Sequence, residues 1–157
     1  MKSNPINSAS TWRAHLRLSA LICGQFAFCP FAIAGVTTSD AWVRGTVPSQ
    51  DTTGAFLTIT STEDAKLVGV ATPIAKTAEI HQTMNHGGMM HMEGVKAVEL
   101  PAGKPVALQP GGYHVMLVNL TRPLAAGDTV PLVFTVEDSR GKRSTFEVKA
   151  EVRPLGR

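Results

Sequence analysis

Cysteine is scarce in this chain of 157 residues: only Cys23 and Cys29 occur, both close to the N-terminus. Residues 35–157 therefore contain no thiol and can form no disulfide. This absence excludes cysteine nucleophiles, thiol redox chemistry, Cys-ligated zinc and the copper electron-transfer centres that require thiolate. Aromatic residues make up only 6% and charged residues 17%, against 43% hydrophobic. A composition of this kind argues against intrinsic disorder and against a coiled coil.

Long apolar runs are also lacking, since a membrane-spanning helix needs about 20 apolar residues. The longest run, residues 18–31, is interrupted by glycine, glutamine and proline. Basic residues precede this run and Ala-Ile-Ala follows it at 32–34, which is the pattern of a secretory signal peptide. We expect residues 1–34 to be a cleaved signal peptide and residues 35–157 to form one exported domain with no stable membrane insertion. A retained anchor is the alternative, whereas the context of both cysteines argues against lipidation.

The positive charge of the chain belongs mostly to this N-terminal segment. The formal net charge is +3 with histidine neutral. Lys2, Arg13 and Arg17 all precede residue 35, and the remainder carries 12 basic and 12 acidic residues. No basic excess remains there to bind a phosphate backbone, which excludes a nucleic acid as the expected partner.

Short β-like runs separated by turn-forming residues fill the rest of the chain, and no long amphipathic helix is indicated. This spacing predicts an all-β fold, a single antiparallel sandwich or barrel. Trp42 and Phe56 are expected to be core aromatic residues. The predicted strands lie near residues 38–44, 54–60, 65–72, 78–82, 89–99, 105–108, 113–120, 129–137 and 144–152.

Histidine and methionine are concentrated in one segment, since seven of the twelve residues from His81 to Met92 are His or Met. They follow neither the strand nor the helix period, so they do not resemble a core segment. A second group, His114 and Met116, has the i, i+2 spacing that places both side chains on one face of a strand. Methionine is often a core gap-filler, and a Met-rich protein-binding surface remains an alternative, but neither explains the histidines.

Imidazole and thioether donors without carboxylate or thiolate favour soft Cu(I) over zinc, magnesium or calcium. Two nitrogens and two sulfurs would fill a tetrahedral site, and a site with no open position stores or carries an ion rather than catalyses. No Ser/His/Asp arrangement and no phosphate-binding glycine loop stands out. We therefore expect a copper-binding protein that is not an enzyme.

A specific spacing links these residues: ten residues separate His81 from Met92, twenty-one separate Met92 from His114, and one separates His114 from Met116. This pattern resembles the signature of the periplasmic copper chaperones called PCuAC. Three further segments, 40–44, 100–103 and 110–114, are also similar to that family. The resemblance extends over residues 40–152.

The resemblance implies a cupredoxin-like Greek-key β-sandwich that binds Cu(I) through His81, Met92, His114 and Met116. It also implies a periplasmic location and a copper-accepting partner, such as subunit II of cytochrome c oxidase, with its binuclear copper centre, or a Sco-type chaperone. A copper-sequestering resistance protein and a metal-free Met-rich adaptor remain alternatives. Five further residues could form an acquisition or handover shell: Met84, His86, Met89, Met90 and His91.

Overall fold

Ten strands make up the regular structure of residues 35–154, the part of the chain that the computed structural model describes. The predicted signal peptide, residues 1–34, lies outside the described residues. Within residues 35–154 no helix has the length and apolarity required to cross a membrane. The strands are β1 (Val36–Arg44), β2 (Thr52–Ser61), β3 (Ala65–Ala71), β4 (Ala75–His86), β5 (Met89–Gly94), β6 (Val98–Leu100), β7 (Pro105–Leu108), β8 (Tyr113–Leu120), β9 (Thr129–Asp138) and β10 (Arg143–Arg153).

The predicted strands are present, with one division that the sequence pattern does not show. The run predicted at residues 89–99 is two strands, β5 and β6, which pair with different neighbours. The chain leaves β5 at Gly94, and the backbone N–H of Val95 then donates to the carbonyl of Ile80 at 2.8 Å. This turn carries the chain from beside β4 to the opposite end of the sheet, beside β3.

The strands follow one another in space in the order β5-β4-β8-β2-β1-β10-β9-β3-β6, with β7 also paired to β2. Most of these neighbours are not consecutive in sequence, which is the arrangement produced by Greek-key connections. All pairs are antiparallel except β1 with β10. These two strands come from opposite ends of the described chain, and parallel neighbours require a long crossover rather than a hairpin.

A single hydrophobic core lies between the two halves of this folded sheet. Side chains alternate along each strand, so β8 directs Val115 and Leu117 into the core while His114 and Met116 lie on the other face. The neighbouring strands match this pattern, since Val115 pairs with Ile80 on β4 and with Ala55 on β2. The all-β sandwich is thereby confirmed, and the outer face of β4, β8 and β2 is left to carry polar and sulfur-containing groups.

Candidate metal centre

Three adjacent strands bring the predicted ligands to one outer face of the sandwich. His81 on β4 lies directly opposite His114 on β8. Met92 on β5 lies opposite Thr83, whose side chain shares the face of His81 because the two residues are i and i+2. Met116 shares the face of His114 for the same reason. All four residues therefore belong to a single surface, although they come from separate parts of the sequence.

The two imidazole rings are close enough to bind one ion, since their centroids are 6.0 Å apart. A metal–nitrogen bond of about 2 Å, together with about 1 Å from the nitrogen to the ring centre, allows ring centroids up to about 6 Å apart when both nitrogens lie in line with the ion, so the observed separation is at this upper limit. Directly opposed residues of an antiparallel pair are the closest neighbours that a sheet offers. Register alone thus places both imidazoles within reach of a single ion.

A cavity of about 370 Å³ opens on this face, and Met92, His114 and Met116 are among its lining residues. His81 is not a lining residue but is the immediate neighbour of His114. The ligands differ in their exposure to solvent. His114 is only 6% exposed, whereas Met92 is 63% exposed. The candidate site therefore has a buried imidazole on one side and an accessible thioether on the other.

Hydrogen bonds to the two imidazoles use different ring nitrogens. His114 Nδ1 lies 3.1 Å from the carbonyl oxygen of Gly112, so Nδ1–H donates and Nε2 carries the free lone pair. His81 Nε2 lies 3.0 Å from a carboxylate oxygen of Glu79. Its Nδ1 is buried and has no hydrogen-bond partner. A buried polar atom without a partner requires an explanation, and a lone pair available to bind a metal ion is one.

Phe56 forms one wall of the cavity, although it was predicted to be a core residue. It is buried, as predicted, but it lies on the outer face, apart from the main core, with its ring centroid 6.4 Å from that of His114. Trp42, which was also predicted to be a core residue, is instead half-buried outside the core and covers the far side of Phe56 at 4.4 Å between ring centroids. A Cβ on Gly54 would approach the Phe56 ring to 2.9 Å. Glycine at position 54 therefore leaves the space that the Phe56 ring occupies.

The donor set on this face is unsuited to a hard cation. Among residues 35–154, no group of three or more His, Cys, Asp or Glu side chains is placed to hold a metal ion. The site predicted from the sequence instead combines the thioethers of Met92 and Met116 with the imidazoles of His81 and His114. This mixture of two nitrogens and two sulfurs matches the preference of Cu(I).

The five residues predicted as an additional shell do not lie together. Met90 pairs with Asn85 and shares the face of Met92, on the side of the cavity. The other four lie on the reverse face of the β4–β5 hairpin: Met84, His86, Met89 and His91.

Two contributions to the site were missed in the sequence. Glu79 precedes His81 by two residues, so the strand alternation that identified His114 with Met116 could also have identified Glu79 as a neighbour of His81. Arg44, whose guanidinium carbon lies 5.7 Å from the centre of the Phe56 ring, also lines the cavity. No local signal in the sequence connects Arg44 with the histidines, because β1 reaches this surface only through its pairing with β2.

Sequence comparison identifies a family and individual proteins that this chain resembles. Residues 36–152 match the family described as "Putative lipoprotein LpqE-like". A protein of Leifsonia xyli subsp. xyli described as "Putative lipoprotein Lxx21020" is 30% identical over 116 residues, which cover 73% of this chain and 70% of that protein. An uncharacterized protein of Rickettsia prowazekii is 30% identical over 117 residues, covering 71% of this chain and 65% of its own length.

Solved structures with the same fold include PCuAC domains. The solution structure of Cu(I)-DR1885 from Deinococcus radiodurans is 37% identical, covers 74% of this chain and 76% of its own, and has a TM-score of 0.55. The apo PCuAC domain from PmoF1 has a TM-score of 0.59 at 18% identity, covering 76% of this chain and 93% of its own. At that low identity the PmoF1 likeness concerns the fold alone. The cupredoxin-like sandwich predicted from the sequence is confirmed.

Proposed function

This chain belongs to the LpqE-like family of PCuAC type, and from that membership together with the site on its outer sheet face we propose that it is an exported Cu(I) chaperone. It holds one ion with His81, Met92, His114 and Met116. It then releases the ion to an acceptor protein without catalytic turnover. The copper is cargo rather than a resident cofactor.

The observation that carries this proposal is the convergence of two imidazoles and two thioethers on one face, with a buried lone pair on His81 left without a partner. The hydrogen bonds favour a specific set of donor atoms. His114 binds through Nε2, because Gly112 engages its Nδ1. His81 binds through Nδ1, because Glu79 engages its Nε2. The thioether sulfurs of Met92 and Met116 complete a tetrahedron.

The difference in exposure gives the transfer a direction. Met92 is the accessible ligand at 63% exposure, so it can leave the ion without disturbing the core. An incoming thiolate of the acceptor takes its place, and the anionic, softer donor then binds Cu(I) more tightly than a neutral thioether. His114, held between Phe56 and His81, remains bound longest. The ion keeps its oxidation state throughout, since only ligands are exchanged.

A copper centre exposed outside the cytoplasm is the expected destination. The lipoprotein description of the family supports export, in agreement with the signal peptide proposed at residues 1–34. We place the domain, residues 35–157, in the periplasm. Its acceptor is the binuclear copper centre of cytochrome c oxidase subunit II, or a Sco-type chaperone that serves it. A two-cysteine acceptor fits the ligand exchange, because this domain itself has no thiol to compete.

Anaerobic transfer tests this proposal directly. The Cu(I)-loaded protein is mixed with an apo acceptor that bears the two-cysteine binuclear site, and copper is measured on each protein after separation. We expect the ion to move to the acceptor within minutes, and His81→Ala to carry and deliver less. If the wild-type protein keeps its copper, and if deletion of its gene sensitises cells to copper without lowering oxidase activity, the protein sequesters copper rather than delivering it. A wild type that binds no Cu(I) would favour the metal-free adaptor.

A further inference from the structure

The hairpin of β4 and β5 extends beyond the rest of the sheet as a two-stranded arm. The pairing of β4 with β8 ends where Gln82 lies opposite Tyr113, and one more hydrogen bond runs from Thr83 N–H to the Gly112 carbonyl at 3.0 Å. Beyond that point β5 is the only partner of β4 among residues 35–154. The proposed site of His81, Met92, His114 and Met116 is called the outer-face site below. Residues 84–91 of the arm have a second face that does not contribute to it.

Four donors share that reverse face in two directly opposed pairs. Met84 lies opposite His91, and His86 lies opposite Met89. Met84 and His86 are i and i+2 on β4, so both pairs project to the same side, away from the side of His81 and Met92. We propose that this reverse face, consisting of Met84, His86, Met89 and His91, is a second Cu(I) site. It goes beyond the proposed chaperone function, which requires only the outer-face site.

The spacing of the four residues fits one ion. Directly opposed Cβ atoms in an antiparallel pair are about 4.5–5.5 Å apart, and successive same-face residues on one strand are about 7 Å apart. Methionine has three rotatable side-chain bonds and a soft, polarisable sulfur. Two such side chains can fold inward from diagonal corners toward the two imidazoles. The resulting set, two nitrogens and two sulfurs without carboxylate, repeats the donor chemistry of the outer-face site and suits Cu(I).

The turn of the arm sets which residues share a face. Gly87 and Gly88 have φ values of 59° and 87°, the positive values that a two-residue type I′ hairpin turn requires at both central positions. The Asn85 side-chain oxygen accepts from the Gly88 N–H at 3.0 Å. A turn of defined type determines the register, and a slip by one residue would move side chains to the opposite face. The arrangement of two His and two Met on one side therefore depends on this turn.

Solvent exposure keeps these donors available. His86, Met89 and His91 are exposed and Met84 is half-buried. Met89 is 66% exposed, and Met90 and Met92 are similarly exposed, although burial of a Met side chain normally stabilises a fold. Thioethers that contribute nothing to the core remain free to bind an ion. Because no buried imidazole anchors this set, we expect weaker and faster-exchanging binding than at the outer-face site.

A stoichiometric titration of the purified protein tests the second site. Cu(I) is added anaerobically in competition with a chromophoric chelator, and we expect two equivalents, the second weaker than the first. The double variant Met84→Leu/Met89→Leu keeps side-chain volume and should lose the second equivalent while retaining the first. The double variant His86→Asn/His91→Asn should give the same result. Met90→Leu is the matched control, since Met90 lies on the same strand but on the other face, and it should retain both.

Methyl NMR with Ag(I), a redox-inert substitute for Cu(I), provides a readout that does not depend on affinity. During addition of the second equivalent the methyl signals of Met84 and Met89 should shift, while that of Met90 should not. A wild type that binds only one equivalent, and keeps it in both double variants, would overturn the proposal, as would a second equivalent that survives both double variants. Loss of the tight equivalent in His81→Ala, with the weaker one intact, would support two independent sites. If the wild type lacked the tight equivalent but kept the weaker one, the chaperone site would fail and this one would stand.

Discussion

Replacing Glu79 tests how the outer-face site is organised. The Glu79 carboxylate accepts a hydrogen bond from His81 Nε2 at 3.0 Å, and it is 54% exposed. Without this acceptor the imidazole can rotate, and the proton can move to Nδ1, the nitrogen proposed to bind copper. Loss of a hydrogen-bond partner of a metal-ligating histidine typically weakens metal binding about 10- to 100-fold, or about 1.4–2.7 kcal/mol. Because Glu79 is half exposed and water can partly replace it, we expect a value for Glu79→Ala near tenfold.

The assay is a competition titration of Cu(I) with a chelator, together with ¹⁵N NMR of the histidine rings to identify the protonated nitrogen. Glu79→Gln retains an oxygen acceptor and should stay within a few-fold of wild type. Glu99→Ala is the matched control, because Glu99 makes an exposed ion pair of the same length, 3.0 Å, with Lys66 on strands away from the site. All three variants should unfold at nearly the wild-type denaturant concentration. If Glu79→Ala binds like wild type while His81→Ala does not, Glu79 does not position the ring. If Glu79→Gln is as weak as Glu79→Ala, the negative charge matters rather than the acceptor.

Three further predictions concern binding and stability. Met116→Leu should weaken Cu(I) binding by more than the ~10- to 100-fold that is typical of losing a hydrogen-bond partner of a ligand. It should cost less than about 1.5 kcal/mol of stability in urea unfolding. Unchanged Cu(I) affinity would show that Met116 is not a ligand. Gly54→Ala places a Cβ 2.9 Å from the Phe56 ring and should destabilise the fold by about 1–3 kcal/mol in urea unfolding. Unchanged stability would show that the Phe56 ring can move aside without cost. The hydrogen bond from Arg122, together with one from the Ala125 N–H, lowers the pKa of Asp128 below its usual value of 3.8. These hydrogen bonds therefore stabilise the fold fully above pH 3.8, and their contribution is lost as the pH falls through the lowered pKa. Asp128→Asn should therefore reduce stability at neutral pH and flatten the acid-induced loss of stability below about pH 4, and an unchanged acid profile would contradict this assignment.

The strands were predictable because side-chain alternation is local. The runs at 105–108 and 113–120 coincide with β7 and β8, and most of the others differ by one to three residues at their ends. The i, i+2 relation of His114 and Met116 also followed from the sequence, since it needs only one strand. The division of residues 89–99 was not predictable, because it depends on which neighbour each half pairs with.

The composition of the candidate site could be read from the sequence, but not the relations among its residues. A thiol-free domain rich in His and Met indicates soft metal chemistry whatever the fold. The pairing of His81 with His114, and the carboxylate of Glu79 beside them, required the register of β4 against β8. Phe56 was correctly expected to be buried, but it is buried on the outer face beside a glycine rather than in the core.

The sequence by itself determined the β-strand pattern, the absence of thiols, the Met- and His-rich segment and the spacing that relates it to copper chaperones. Only the tertiary structure decided which face each donor occupies: His81 and Met92 with His114 and Met116 on one side, and Met84, His86, Met89 and His91 on the other. The physical reason is that alternation repeats every two residues along a strand, whereas register is set by turns and by pairing with distant segments. The glycine turn at residues 87 and 88 and the pairing of β4 with β8 together assign these side chains to two surfaces.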